Sequence, residues 1–260
     1  MELHEYILTR NDCCRRGTPL VPRGVMVHST GANNPYLRRY VQPDDGELGK
    51  NRYDNDWNRP GLPVCVHAFL GKKAGGGIAV YQTLPWEMRG WHCGGSANST
   101  HIGVEMTEPS AGMTRSEAAE QIAGTYRTVV ELFAELCKQY ELDPAQDGVI
   151  IGHAEGHRRG VASNHADPEL LWRTYDMGYT MDGFRRDVAE AMAKEDREEV
   201  PDMPRYDSVA EMPQWARADA QRLIDRGVLS GVGNGKLDLS LDMIRTMIVC
   251  QRMLDEQKET

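Results

Sequence analysis

Three residues with metal-binding side chains stand at comparable places in this 260-residue sequence. His28 directly follows the apolar run Val25–Met26–Val27, and His153 follows a second apolar run at 149–152. Asp167 lies in a polar loop that begins ten residues after His153. Two imidazoles and one carboxylate suit a catalytic zinc ion, which keeps its fourth coordination position open. We expect the three to meet at the rim of a sheet, although spacing alone leaves ordinary core or surface histidines as an equal alternative.

A metalloprotease is a second interpretation of the same region. His153 and His157 are four residues apart, as in the His-Glu-x-x-His helix of zinc proteases. However, Glu155 occupies the wrong position for that motif, and Gly156 and Gly160 are expected to weaken the helix that it requires. The sequence therefore disfavours a protease.

Short apolar runs and one strong helix are the elements that must position these residues. Strands are predicted at 24–28, 64–70, 78–82, 101–106 and 148–153. Gly75–Gly76–Gly77 predicts a hairpin turn between the second and third of them. A capping box at Thr114–Glu117 predicts a helix to about Cys137, and a further amphipathic helix is predicted at 181–193. Strands separated by helices indicate an α/β fold with a mixed central β-sheet covered by helices.

The C-terminal part differs in composition from the rest. Residues 194–205 are charged and contain Pro201 and Pro204, which is typical of a linker. Two short helices follow, one around Trp215 and one after Ser240. We expect three regions: a catalytic domain at 1–195, a linker at 196–205 and a small helical module at 206–260.

Composition excludes some functions. The formal net charge of −9 argues against nucleic acid as a partner. No apolar run reaches the roughly 18 residues of a membrane span, so no membrane insertion is expected. The N-terminus has neither the basic nor the apolar region of a secretion signal, and the six cysteines form no Cys-x-x-Cys pair. We expect reduced thiols and a cytoplasmic location.

Five segments resemble one family, the type 2 N-acetylmuramoyl-L-alanine amidases, a superfamily that includes peptidoglycan recognition proteins and many phage lysins. The segment 25–30 is similar to its opening strand, 90–94 to its Trp-His-x-Gly motif, and 102–105 to the strand with its catalytic glutamate. The segments 152–153 and 165–168 resemble its second and third metal-ligand motifs. They occur in the family's order, between about residues 20 and 175.

The resemblance implies roles for individual residues. His28, His153 and Asp167 would bind Zn²⁺, and Glu105 would be the general base. Aspartate replaces the cysteine of many relatives at the third ligand position, as in other active members. His165 stands where relatives often have lysine, so it would stabilise the oxyanion either as a cation or with one neutral N–H.

The resemblance also implies a substrate and a setting. It implies hydrolysis of peptidoglycan at the amide bond between the MurNAc lactyl group and L-alanine. Trp91 and His92 would line the substrate groove or be structural, and Asn34 would contact substrate. Segments 28–35 and 162–165 are similar to a subgroup in endolysins and prophages of Gram-positive bacteria. An enzyme of that kind waits in the cytoplasm until lysis.

Two questions stay open at this point. A relative that recognises peptidoglycan without cutting it is the alternative function, although such proteins usually lose a metal ligand. The C-terminal module is similar to a degenerate surface-layer-homology unit. This likeness implies cell-wall targeting or self-association, with a homo-oligomer as one outcome.

Overall fold

A computed structural model describes residues 1–43, 46–198 and 205–256. Its contacts divide the chain into two compact units, Met1–Lys194 and Glu195–Thr260. Residues 199–204, most of the expected linker, lie outside the described residues. The described residues contain no helix that combines the length and the apolar side chains of a membrane span.

The first unit is built on a six-stranded sheet with the order β1-β4-β3-β5-β2-β6. Its strands are β1 Leu3–Glu5, β2 Gly24–Ser29, β3 Ala68–Lys72, β4 Ile78–Gln82, β5 His101–Met106 and β6 Ile150–Gly152. Only β3 and β4 pair in antiparallel fashion, through the predicted hairpin. The central strand β2 is buried along its whole length, as expected of a strand covered on both faces.

Five helices accompany this sheet: α1 Asp12–Arg16, α2 Arg115–Gln139, α3 His153–Arg158, α4 Glu169–Thr174 and α5 Met181–Glu198. The predicted capping box at Thr114 is present, with Glu117 as its partner. The main core joins residues of α2, such as Phe133, to Val27 of β2 and Phe184 of α5. The predicted α/β class, with a mixed sheet covered by helices, is confirmed.

Some boundaries differ from the sequence prediction. The strand expected from residue 64 begins at Ala68, because Cys65 instead bridges to Trp91 in a separate antiparallel pair. Helix α5 continues to Glu198, beyond the expected end at 193. β1 was not predicted, since Leu3 is the only apolar residue in it.

Gly156 does not prevent a helix after β6, contrary to the expectation. It lies in α3, where an added Cβ would come within 2.5 Å of the Met26 side chain. The absence of a side chain therefore lets α3 pack closely on β2, which outweighs the low helix propensity of glycine.

The second unit contains β7 Arg205–Tyr206, α6 Gln214–Asp225, β8 Leu239–Ser240 and α7 Leu241–Glu256. Ser240 caps α7 as predicted, because its Oγ accepts a hydrogen bond of 3.3 Å from the Met243 N–H. The unit has a small core of its own, formed by Met212, Ala216, Ala220, Leu239, Ile244 and Ile248.

Candidate metal and catalytic site

Strand register aligns three of the predicted residues across the sheet. His28 of β2 is the register partner of Glu105 in β5, and Val27 is the partner of Gly152 in β6. His153, the next residue after β6, therefore lies beside His28. Parallel strands place these carboxyl ends at one edge of the sheet, where α/β proteins form their sites.

Asp167 reaches the same edge from the loop before α4. The Ser29 N–H donates a 3.3 Å hydrogen bond to Asp167 Oδ2, and the Ala154 N–H donates a 3.1 Å bond to the Asp167 carbonyl. These two bonds attach the loop to the end of β2 and to α3. The Asp167–Pro168 peptide bond is cis.

The three groups form a triangle whose size suits a metal ion. His28 Nδ1 is 3.0 Å from His153 Nδ1 and 3.2 Å from Asp167 Oδ2, and His153 Nδ1 is 3.5 Å from Asp167 Oδ1. A tetrahedral zinc ion with bonds of about 2.0–2.1 Å would separate its ligand atoms by roughly 3.3 Å. The described residues can thus hold a metal ion here, as these atoms lie within 4.8 Å of one another.

His92 fixes the orientation of the His28 ring and requires a proton on its Nε2. The His101 carbonyl can only accept, so the 3.2 Å contact with His92 Nε2 requires an N–H at that nitrogen. Burial lowers the pKa of His92 well below its ordinary value, so its Nδ1 is unprotonated and accepts from His28 Nε2–H at 2.9 Å. His28 Nδ1 is therefore the nitrogen that faces the triangle, where it donates to Asp167 Oδ2 at 3.2 Å or, once deprotonated, can bind a metal ion.

Ser163 has the same effect on His153. The Ser163 hydroxyl donates to the Cys93 carbonyl at 3.0 Å, so its oxygen accepts from His153 Nε2–H at 3.2 Å. Burial, with the charge of His28, lowers the pKa of His153 to about 4. Both imidazoles thus direct Nδ1 to the same point, and two electron pairs there would repel unless a proton or cation lay between them.

The Asp167 carboxylate and the His28 imidazole influence each other's ionisation. Burial opposes ionisation of Asp167, yet the hydrogen bond and charge of His28 hold its pKa below the ordinary range. Conversely, Asp167 and Glu105 raise the pKa of His28 against the effect of its burial. The donor set is therefore two imidazoles and one ionised carboxylate.

Glu105 lies next to this triangle without a partner. Its Oε2 atom is buried and accepts no hydrogen bond from the described residues. Burial raises the pKa of Glu105 to about 8, and the charges of Asp167 and Glu108 act in the same direction. A carboxylate with a pKa near neutrality is suited to taking up and releasing a proton.

The site opens into a groove of about 690 Å³. Its lining includes five of the predicted residues besides Asp167, namely Trp91, His92, Glu105, His153 and His165. His165 is exposed, and its Nδ1 lies 3.0 Å from Ser163 Oγ. Asn34 does not line this groove. It lines a neighbouring cavity, whereas Asn33 lines the groove itself.

Two residues of the site had no role in the sequence prediction. Ser163 orients His153 as described above. Glu108 accepts hydrogen bonds from Ser29 Oγ at 2.6 Å and from the Gly31 N–H at 3.0 Å, and so holds the loop after β2. Spacing does not reveal either, because their partners are distant in sequence.

Several solved structures are similar to this fold. The Staphylococcus aureus hydrolase AmiA, in complex with its ligand, matches with a TM-score of 0.52 and 21% identity, over 77% of this chain and 86% of that one. The catalytic domain of XlyA matches with a TM-score of 0.48 and 19% identity, over 72% of this chain and 99% of that one. A mutant endolysin from Bacillus subtilis matches with a TM-score of 0.47 and 19% identity, over 72% of this chain and 99% of that one.

The family follows from the sequence match. Residues 17–170 match the Amidase_2 family, described as N-acetylmuramoyl-L-alanine amidase. The chain belongs to this family, which confirms the resemblance and assigns it to a class of hydrolases that cleave an amide bond. No curated protein matches the chain.

Proposed function

We propose that this protein is a zinc-dependent N-acetylmuramoyl-L-alanine amidase that cleaves peptidoglycan between the MurNAc lactyl group and L-alanine. The convergence of two imidazole Nδ1 atoms and one carboxylate, with Glu105 in the adjacent strand, is the observation that supports it most directly. His28, His153 and Asp167 would hold the metal. Bound zinc polarises the scissile carbonyl and makes water more acidic.

Each remaining residue has a task that its surroundings support. Glu105 takes a proton from the attacking water at its unpartnered Oε2 and passes it to the leaving amine of L-alanine. His165, on the exposed side of the site, donates a hydrogen bond to the carbonyl oxygen as negative charge develops there. Trp91 offers an aromatic wall to the substrate. His92 serves mainly to orient His28 from behind.

The biological setting that we propose is lysis of a bacterial cell wall by an endolysin of phage or prophage origin. It rests on the sequence segments shared with that subgroup. The protein would stay in the cytoplasm until release. Residues 206–260 would form a separable module for wall targeting or self-association. Trp215, with 48% of the residue exposed, supports this role, since aromatic residues supply large contact areas.

Digestion of purified cell walls tests the activity. The amidase should release new L-alanine amino termini, lose this activity after chelation and regain it with zinc. Glu105→Gln should keep zinc and lose about 10²–10⁴-fold in turnover, because an amide cannot accept the proton. Full activity without metal would exclude a metal mechanism. Wall binding with no release by the zinc-loaded wild type would favour the recognition alternative.

A further inference from the structure

A second cavity, of about 390 Å³, lies beside the groove. It is lined by Asn34, Arg38, Arg39, Lys50, Asn51, Arg52 and Tyr53. Four of these seven residues are cationic and none is acidic. Such a concentration of positive charge is unexpected in a chain with a formal net charge of −9, and it indicates a site for an anion.

Two of the four cations of this cavity, Arg38 and Arg39, are oriented by neighbouring groups. The Arg38 guanidinium lies 3.8 Å from the centre of the Tyr36 ring, and an Arg39 Nη1–H donates to the Asn55 carbonyl. Within residues 1–43 and 46–198, none of the four lining cations forms an ion pair with a carboxylate. Stacking on a ring leaves the in-plane N–H groups of Arg38 available for a bidentate acceptor.

The neutral groups of the cavity also favour an acceptor as ligand. Asn34 Oδ1 accepts the Tyr36 N–H at 3.0 Å, and Asn51 Oδ1 accepts the Tyr53 N–H at 3.2 Å. Both amide oxygens are therefore engaged by backbone N–H groups. The Nδ2 group of Asn34 remains available to donate to a ligand. Donors and positive charge together select carboxylates and phosphates.

The position of the cavity connects it to the substrate. Asn33 lines the groove and the next residue, Asn34, lines the cavity, so an extended polymer bound in the groove is within reach of the cavity. We propose that this cavity is a subsite for an oxyanion of the cell-wall polymer, either a carboxylate of the peptide stem or a wall-linked phosphate. The proposal rests on the proposed function and adds a preference for charged over neutral substrate.

Matched ligands test the subsite independently of turnover. In the Glu105→Gln background, binding of a muropeptide with free stem carboxylates is compared with binding of its amidated form. If the peptide stem supplies the anion, charge-assisted contacts of this kind predict roughly a tenfold preference for the acid. Arg38→Gln and Arg52→Gln should each reduce that preference and leave the affinity for the amide unchanged. Arg16→Gln, which removes an exposed charge on α1, is the control and should retain it.

A second arm separates the two sources of the anion. Binding to walls before and after chemical removal of their phosphate polymers is measured for the same proteins. Loss of the Arg38 and Arg52 effects on stripped walls assigns phosphate, and their persistence assigns the stem carboxylate. Two results with correctly folded variants would overturn the proposal. One is an equal loss of affinity for the acid, the amide and both kinds of wall. The other is no change in affinity for any of them. If acid is preferred through these arginines but the wild type releases no peptide, the subsite stands and the proposed amidase activity fails.

Discussion

Glu105→Gln should stabilise the metal-free protein at alkaline pH even though it removes the proposed base. The wild-type carboxyl has a buried Oε2 without a hydrogen-bond donor, and burial raises its pKa from 4.5 to about 8. Ionising this group in the folded protein is therefore costly. Glutamine has the same shape and never ionises, so it avoids that cost.

The sign and size of the effect follow from linkage. Because the folded-state pKa is raised, stability is fully present below pH 4.5 and is lost as pH rises through about 8. The complete difference corresponds to roughly 5 kcal/mol at about 1.4 kcal/mol for each tenfold change in proton affinity. Residue 105 is only partly buried as a whole, so solvent screening should reduce the observed gain to about 2–4 kcal/mol between pH 5 and pH 9.

Denaturant unfolding of the chelated proteins at several pH values measures this gain. The difference in free energy of unfolding between variant and wild type should be near zero well below pH 4.5 and grow as the pH rises. Glu120→Gln, which removes an exposed carboxylate of α2, controls for net charge and should give a flat difference. A flat difference for Glu105→Gln as well would show that the carboxyl is solvated, and our assignment of it as a raised-pKa base would be wrong. Zinc should shrink the gain, because a nearby cation favours the ionised carboxylate.

Three further predictions concern other parts of the chain. His92→Leu should weaken zinc binding about 10–100-fold by competition with a chromophoric chelator, whereas His92→Asn, which can still accept from His28, should retain more of it. His165→Ala should keep zinc and slow hydrolysis; loss of zinc would make His165 a ligand and require revision of Asp167. A chain ending near Asp196 should fold and cleave small muropeptides but act less on intact walls or change its sedimentation mass. If neither property changes, both roles of the C-terminal module fail.

Local sequence patterns predict many of the strands and helices of this protein. Apolar runs of four to six residues, interrupted by glycine and followed by polar side chains, predict the strands that carry His28 and Glu105. The Thr114 capping box marks the start of α2 within one residue. Such signals are readable because they depend on neighbours in the chain, through propensity, capping and the period of side-chain burial.

The register of the sheet is a tertiary property. The local sequences around His28 and Glu105 do not predict that these residues are register partners. A shift of the register by one residue would turn one of them to the opposite face of the sheet. The positions of β3 and α3 likewise depend on distant contacts, such as the Cys65–Trp91 bridge and the space that Gly156 leaves for Met26. Packing across the sheet determines where β3 begins and where α3 lies, and the local sequence pattern predicts neither.

The sequence by itself determined which residues can bind metal and which family they resemble. Only the tertiary structure decided how protons are distributed among them. His28 presents Nδ1 because His92 and the His101 carbonyl lie behind it, and His153 does so because of Ser163 and the Cys93 carbonyl. The tautomer of an imidazole depends on the donors and acceptors around both nitrogens, and the folded chain brings those together from segments more than 60 residues apart.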